Sequence, residues 1–431
     1  MALAIPMILA NITTPLLGLV DTAVLGHLPS VHALAGASVA ALIITQLYWV
    51  CGFLRMTVTG LSAQQRGHYK NAPDPDLQYF QPLVQGMALA LGLALALFIL
   101  QLPLFSLGTY FAEATEATRQ SMQAYFFVRI YGAPAALSNL VLIGWLVGQQ
   151  QTRAVMLIQI GGNVVNVVLN LVFVLLLEWG VRGVAAATVI AEFAMLIAGL
   201  ILALRTQRRL KIDPSWFTVP ALKGLFSLNT AMFIRNLLLQ ACLAFITFKG
   251  AQLGASIAAV NAILMQFFVL IALGLDGIAY AVEALIGEAK GEKNINRLAA
   301  HATRGLLWSS IFALGYSGFF WLGGDWVIMQ LTNQAELQSD AIGFLPLMIV
   351  LPLIAHWCFL YDGIYVGLSH AKAMRNSMLV SAVGVFFPTW WLLQNQGNWA
   401  LWYAFSAFLG ARGVTLAWAF RRDLQTGHAL R

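Results

Sequence analysis

Charged side chains are scarce in this sequence: of 431 residues only 10% are Asp, Glu, Lys or Arg, whereas 60% are hydrophobic. A water-soluble chain of this length needs charge to cover its surface. The shortage excludes a soluble globular protein and leaves lipid as the medium that most of the surface meets. Cysteine is rarer still. Cys51, Cys242 and Cys358 lie far apart inside apolar runs, which reads as buried free thiols rather than a disulfide or metal framework. The sequence also lacks a phosphate-binding glycine loop, a His/Cys metal spacing and a nucleophile elbow. His27 and His32 flank the first outer loop and His68 follows the second span, each without a ligand partner. No catalytic residue, cofactor or metal is therefore expected, and the chain is not expected to be an enzyme. It has no soluble nucleotide domain either, so any work it does must draw on an ion gradient or a partner. The first residues carry no basic stretch and no small-residue cleavage site, so no removable leader is expected. Apolar sequence starts directly after Met1, either as the first span or after a short extension. The triplet Asn11-Ile12-Thr13 fits a glycosylation acceptor but falls inside a span and is set aside.

What is abundant is apolar length. A helix crossing the hydrocarbon needs roughly 20 apolar residues, and twelve windows qualify: 3–26, 34–64, 80–107, 121–148, 153–177, 183–204, 222–250, 255–289, 297–323, 340–368, 375–394 and 398–420. Basic residues gather after even-numbered spans, above all in the run Arg205, Arg208, Arg209 and Lys211, whereas loops after odd-numbered spans carry only Arg119, Arg182 and Lys249. That asymmetry places both termini in the cytoplasm. It also accounts for the net charge of +7 without nucleic acid as a partner.

The stretch RTQRRLKIDPSW (205–216) follows the sixth span and marks a seam. The expected organisation is an N-lobe over 1–204, a cytoplasmic linker over 205–221 and a C-lobe over 222–431. The halves repeat. TGLSAQQRGHYKN (59–71) after span two answers to VEALIGEAKGEKN (282–294) after span eight, and GWLVGQQQTRA (144–154) answers to GIYVGLSHAKA (363–373). Pro134 and Pro352 precede the second pair at similar distances. Six helices duplicated in the same orientation are a plan of secondary transporters.

Ionisable residues within spans are costly and each needs a reason. Asp21 lies in the outer half of span one. Asn166 and Asn170, four residues apart on one face of span five, and Thr188 near the start of span six lie at the same depth. Asn163 is one turn below, and Asn139 on span four is nearer mid-membrane. Burial disfavours a charged carboxyl, whereas amide and hydroxyl donors favour it, and a balance of the two suits a group that loads and unloads a proton. The competing reading is helix-to-helix hydrogen bonding. Pro6 and Pro15 leave the carbonyls of Ala2 and Asn11 unbonded and make the Asp21 helix a candidate hinge. A second group, Arg55, Asp276, Glu283 and Asp362, falls in inner halves and reads as structural or gate-closing ion pairs. Arg129 and Arg235 are candidates either to pair with acids or to face an anionic substrate.

With these residues in hand, the chain resembles the multidrug and toxic compound extrusion (MATE) family, in its bacterial DinF-type branch. The resemblance covers nearly the whole chain and is carried by NITTPLLGLVDTAVLGHL (11–28), RMTVTGLSAQ (55–64), APAALSNLVLIGWLVG (133–148), AAATVIAEFA (185–194), LDGIAYAVEALIGEAKG (275–291) and RNSM (375–378). It implies an all-α polytopic fold of twelve transmembrane helices in two pseudo-symmetric six-helix lobes around a V-shaped cavity. It also implies a monomer in the bacterial inner membrane, among membrane lipids, that exports amphipathic or cationic drugs in exchange for protons or sodium. Asp21 matches the family's cation-coupling residue, Pro6 its kink-forming proline, and Asn166, Asn170 and Thr188 the polar partners. Asn139 matches an amide of the substrate cavity, and Asn163 is grouped with it. Relatives often carry Asp where this chain has Asn170. Sodium requires hard oxygen ligands with compensating charge, so one carboxylate fewer favours protons as the coupling ion over sodium. The alternatives are a sodium-coupled drug antiporter, a flippase for a lipid-linked or anionic substrate gripped by Arg55, Arg129 and Arg235, and a channel or sensor.

Overall fold

In a computed structural model, which describes residues 1–26, 31–70, 80–112, 115–206 and 212–430, the apolar runs fold as helices. His27, most of the basic run after span six and the side chains of Pro15 and His32 lie outside the described residues. The first half contains α1 (Ala4–Gly26), α2 (Val31–Val50), α3 (Phe53–Tyr69), α4 (Gln81–Ile99), α5 (Gln101–Ala112), α6 (Glu116–Arg129), α7 (Ala133–Gly148), α8 (Thr152–Leu171) and α9 (Gly180–Thr206). The second contains α10 (Val219–Leu253), α11 (Ala255–Gly291), α12 (Ile295–Leu331), α13 (Ala335–Gly343), α14 (Leu345–Leu368), α15 (Ala371–Ser381), α16 (Phe387–Leu393) and α17 (Asn398–Gln425).

These helices join into twelve passages because several expected spans are broken. Ten described stretches are long and apolar enough to cross a membrane, and α1 and α17 complete the twelve. Prolines mark most breaks: Pro103 follows the α4–α5 joint, Pro134 the 3-10 turn Ile130–Gly132, and Pro346 the α13–α14 joint. A proline supplies no N–H to the preceding turn and crowds its carbonyl, so the helix restarts there. Span 34–64 breaks at Cys51-Gly52, where Leu54 N–H bonds the Cys51 carbonyl at 3.0 Å in a tightened turn. The fifth and eleventh passages each contain one π-helical turn, Val172–Leu176 and Ala382–Phe386.

Two compact units result, Leu9–Lys223 and Gly224–Arg431 together with Met1–Ile8. The first turns of α1 therefore pack with the second half. There α11 crosses them at Gly277, where a Cβ would stand 2.9 Å from the Ile8 backbone nitrogen. At the end of the segment before α10, Asp213 accepts the Ser215 N–H at 2.8 Å, which holds its carboxyl below the usual range. Beside it Trp216 is buried, and its carbonyl accepts from Gln85 of α4 at 2.7 Å.

The repeated motifs have one structural meaning in both units. A Cβ on Gly144 would come within 2.5 Å of the Arg55 carbonyl, and one on Gly363 within 2.8 Å of the Ala279 carbonyl. Four residues on, a Cβ on Gly148 would meet the Thr59 carbonyl at 2.7 Å and one on Gly367 the Glu283 carbonyl at 2.6 Å. The glycine pairs thus let α7 and α14 lie backbone to backbone against α3 and α11. Both helices then end in a left-handed residue, Gln150 (φ 60°) and Ser369 (φ 54°), with matching Schellman bonds: Gln151 N–H to the Leu146 carbonyl at 2.8 Å, and His370 N–H to the Tyr365 carbonyl at 3.1 Å. The motif cations cap these ends. Arg66 donates to the Gln149 carbonyl at 2.9 Å and Lys290 to the Leu368 carbonyl at 2.7 Å, each placing positive charge where the helix dipole is negative. Gly363→Leu should separate α14 from α11 and cost at least the ~1–3 kcal/mol typical of overpacking. The expected outcome is loss of monodisperse protein in detergent chromatography, with Gly343→Leu, at an open position, as the tolerated control.

Candidate functional site

Polar residues in the first unit form one connected chain across three helices. Asn170 Nδ2 donates to Asp21 Oδ1 at 2.5 Å and to Asn166 Oδ1 at 2.8 Å. Asn166 Nδ2 donates to Thr188 Oγ1 at 3.0 Å, and the Thr188 hydroxyl donates to the Val184 carbonyl at 3.1 Å. The order Asp21, Asn170, Asn166, Thr188 thus runs from α1 through α8 to α9. Asn166 and Asn170 are buried and Asp21 is partly exposed. One valence is left over: Asn170 Oδ1 is buried without a hydrogen-bond partner among the described residues. An unpaired buried acceptor is costly, and this one belongs to the same amide that holds Asp21.

Asn163, two turns earlier on α8, does not reach the chain. Its Nδ2 donates to Thr13 Oγ1 at 2.9 Å, and the Thr13 hydroxyl donates to the Ala10 carbonyl at 2.8 Å. Helix α8 therefore holds α1 at two places, Thr13 and Asp21, and Pro15 lies between them. Thr13 was missed from the sequence, although a signal existed. Thr13 and Asp21 are eight residues apart and Asn163 and Asn170 seven, so each pair repeats after about two helical turns. Pro6 is buried in the first turn of α1, within the other unit. Asn139 is also buried, and its Nδ2 donates to the Glu192 carbonyl at 2.8 Å, tying α7 to α9.

The arginines are engaged by acids. Arg129 grips Glu192 through two bonds of 2.9 Å, under the Tyr48 ring at 5.5 Å. Gly132 leaves the room: a Cβ there would stand 2.7 Å from Glu192 Oε2. In the second unit Arg235 and Arg412 both donate to Asp362 Oδ2, and Arg235 Nη1 also donates to Asn236 Oδ1 at 2.8 Å. All three charged groups are buried. Asp362 is thereby bound to two guanidinium groups and is not a lone acid of the Asp21 kind. Glu283 is buried on α11, with Asp276 two turns before it, and Arg55 lies partly buried on α3. Among the described residues no group of three His, Cys, Asp or Glu stands close enough to hold a metal ion.

The repeat shows how one-sided the polar chain is. GASVAA (36–41) recurs as GASIAA (254–259), and at that sequence offset Leu239 answers to Asp21. Gly180, the first residue of α9, and Gly397, just before α17, are both at positive φ, and at their offset Phe405 answers to Thr188. Phe405 is fully buried in an apolar cluster against which Leu239 packs. Duplication supplied the frame, and at these two positions the second copy carries apolar residues.

Twelve apolar passages in two repeated halves, with an acid-bearing polar chain in the first, define a polytopic membrane protein. The sequence profile of the MatE family matches it twice, over residues 6–172 and 231–392, and the chain belongs to that family. It is 41% identical over 429 residues to the DNA damage-inducible protein F of Escherichia coli K12, covering 99% of this chain and 92% of the relative. It is 25% identical over 436 residues to a probable multidrug resistance protein NorM of Pseudomonas syringae, covering 96% and 89%. Among solved structures, a MATE protein in the bent conformation aligns with a TM-score of 0.88 at 19% identity, covering 99% of this chain and 96% of that one.

Proposed function

We propose that the protein is a proton-coupled exporter of amphipathic, cationic small molecules, acting from the bacterial inner membrane with both termini in the cytoplasm. The observation that carries this reading is the hold on Asp21: a carboxyl on a proline-bearing helix, kept by an amide whose own oxygen is unpaired. Ionised, Asp21 only accepts, and Asn170 Nδ2 is its donor. Protonated, it becomes a donor and needs an acceptor, which Asn170 Oδ1 supplies once the amide turns. Turning withdraws Nδ2 from Asn166, so the whole chain to Thr188 must rearrange. With the outer hold changed and the Thr13–Asn163 hold kept, α1 bends about Pro15 and expels substrate. Deprotonation on the cytoplasmic side restores the hold. Proton and substrate exchange because each is favoured by a different shape of α1.

Two observations weigh against the alternatives. Arg129 and Arg235 are bound to Glu192 and Asp362, which leaves them poorly suited to grip an anionic or lipid-linked substrate. The partners of Asp21 within the chain are amides and a hydroxyl, so a sodium ion would find one carboxylate there. The name of the Pseudomonas relative supports drugs as the substrate class.

Adding ethidium to the detergent-solubilised protein in weakly buffered, sodium-free solution should release a proton; no release, or release only with sodium present, would refute proton coupling. Asn163→Leu removes the inner hold. It should slow ethidium transport about two- to tenfold, the equivalent of one hydrogen bond at ~0.5–1.5 kcal/mol, with proton release on binding unchanged.

A further inference from the structure

Helix α6 packs one face, including Met122, Tyr125, Phe126 and Arg129, into the first unit. Its opposite face is a groove of about 660 Å³ lined by Gln120, Gln123, Phe127, Val128 and Tyr131, and closed by Arg182 from the start of α9. The positions from Gln120 to Tyr131 run through α6 into the 3-10 turn after it, recur at helical spacing and form a single stripe. The stripe is graded. Gln120, Gln123 and Arg182, all exposed, are polar and lie at the beginnings of two helices that start on the same side of the membrane, opposite the segment joining the two halves. Phe127, Val128 and Tyr131 follow deeper, Tyr131 being about 16 Å along the helix from Gln120 at 1.5 Å per residue. Tyr131 is 61% exposed and its ring leans on Phe98 at 5.5 Å.

The groove thus has a polar, cationic end at the starts of α6 and α9 and an aromatic, apolar end further along α6. Among the described residues Arg182 forms no ion pair and no acid lines the groove. An ammonium therefore finds no partner there, and a cationic drug is repelled. A phosphate finds a guanidinium and two amide donors.

We propose that this groove binds one anionic phospholipid, its phosphate at Arg182 with Gln120 and Gln123, and an acyl chain along Phe127, Val128 and Tyr131. The inference is independent of what the protein transports. It is tested by native mass spectrometry of the full chain, supplied with phosphatidylglycerol or phosphatidylcholine. Arg182→Gln is compared with Arg119→Gln, which removes an exposed arginine that pairs with Glu116 at 3.8 Å. The parent and the Arg119 variant should retain one phosphatidylglycerol in preference to phosphatidylcholine. Arg182→Gln should lower that retention about fivefold, the effect of one basic residue at a membrane surface. Because Arg182 is exposed, the variant is expected to fold, and its elution profile and melting temperature verify this. Equal retention of both lipids by the parent, unchanged retention in Arg182→Gln, or equal losses in both variants would overturn the assignment.

Discussion

Asp21→Asn is expected to reduce ethidium uptake in vesicles with an imposed pH gradient to the level of protein-free vesicles, with folded protein unchanged. Asparagine matches aspartate in shape and can still bond Asn170, because either amide can turn to present the needed atom. The substitution therefore removes one property, the ability to change charge. A transporter whose helix shape follows that charge is left in one state and cannot cycle. A merely structural role for Asp21 predicts a loss of stability with transport largely kept, since the polar chain to Thr188 is a plausible interhelical tie. Parent-like pumping by Asp21→Asn would refute the mechanism.

Asp362→Asn should destabilise the second unit by about 3–5 kcal/mol, the usual cost of removing one partner from a buried ion pair. Arg235 and Arg412 share a single carboxylate oxygen, so the amide leaves two buried guanidinium groups without that charge. The readout is the temperature at which half of the detergent-solubilised protein is lost from solution, which should fall sharply. Replacing all three residues together, as Arg235→Met, Asp362→Leu and Arg412→Met, should recover most of the loss, because an apolar core tolerates the absence of a whole ion cluster. A variant Asp362→Asn as heat-stable as the parent would show that the cluster does not hold this unit together.

The polar chain was legible in the sequence because helix periodicity is local. The four-residue spacing of Asn166 and Asn170, and the matched depths of Asp21 and Thr188, follow from chain direction and rise alone, and the structure links these four in one line. Ion-pair partners were not legible. Arg129 and Glu192 are 63 residues apart, and their meeting depends on how α6 packs beside α9. The partners of the interior amides were not legible for the same reason: Asn139 and Asn163 each donate from Nδ2 to a neighbouring helix. The span breaks could have been anticipated at Pro103, Pro134 and Pro346, since hydropathy averages over the turn that a proline interrupts. The recurrence of GASVAA as GASIAA, also overlooked, sets the apolar Leu239 against Asp21 at that offset.

That solitary acid makes the account testable at one distance. Spin labels on Ala23, exposed near the end of α1, and on Leu175, exposed at the end of the fifth passage, report how far the outer part of α1 stands from its partner within the first unit. Pulsed electron resonance should give two separations in the parent that exchange as pH falls, differing by several ångströms, and one pH-independent separation in Asp21→Asn that matches the acidic form. A separation in the parent that ignores pH, or one that still responds to pH after Asp21 is replaced, would contradict the claim that the charge on this carboxyl sets the shape of its helix.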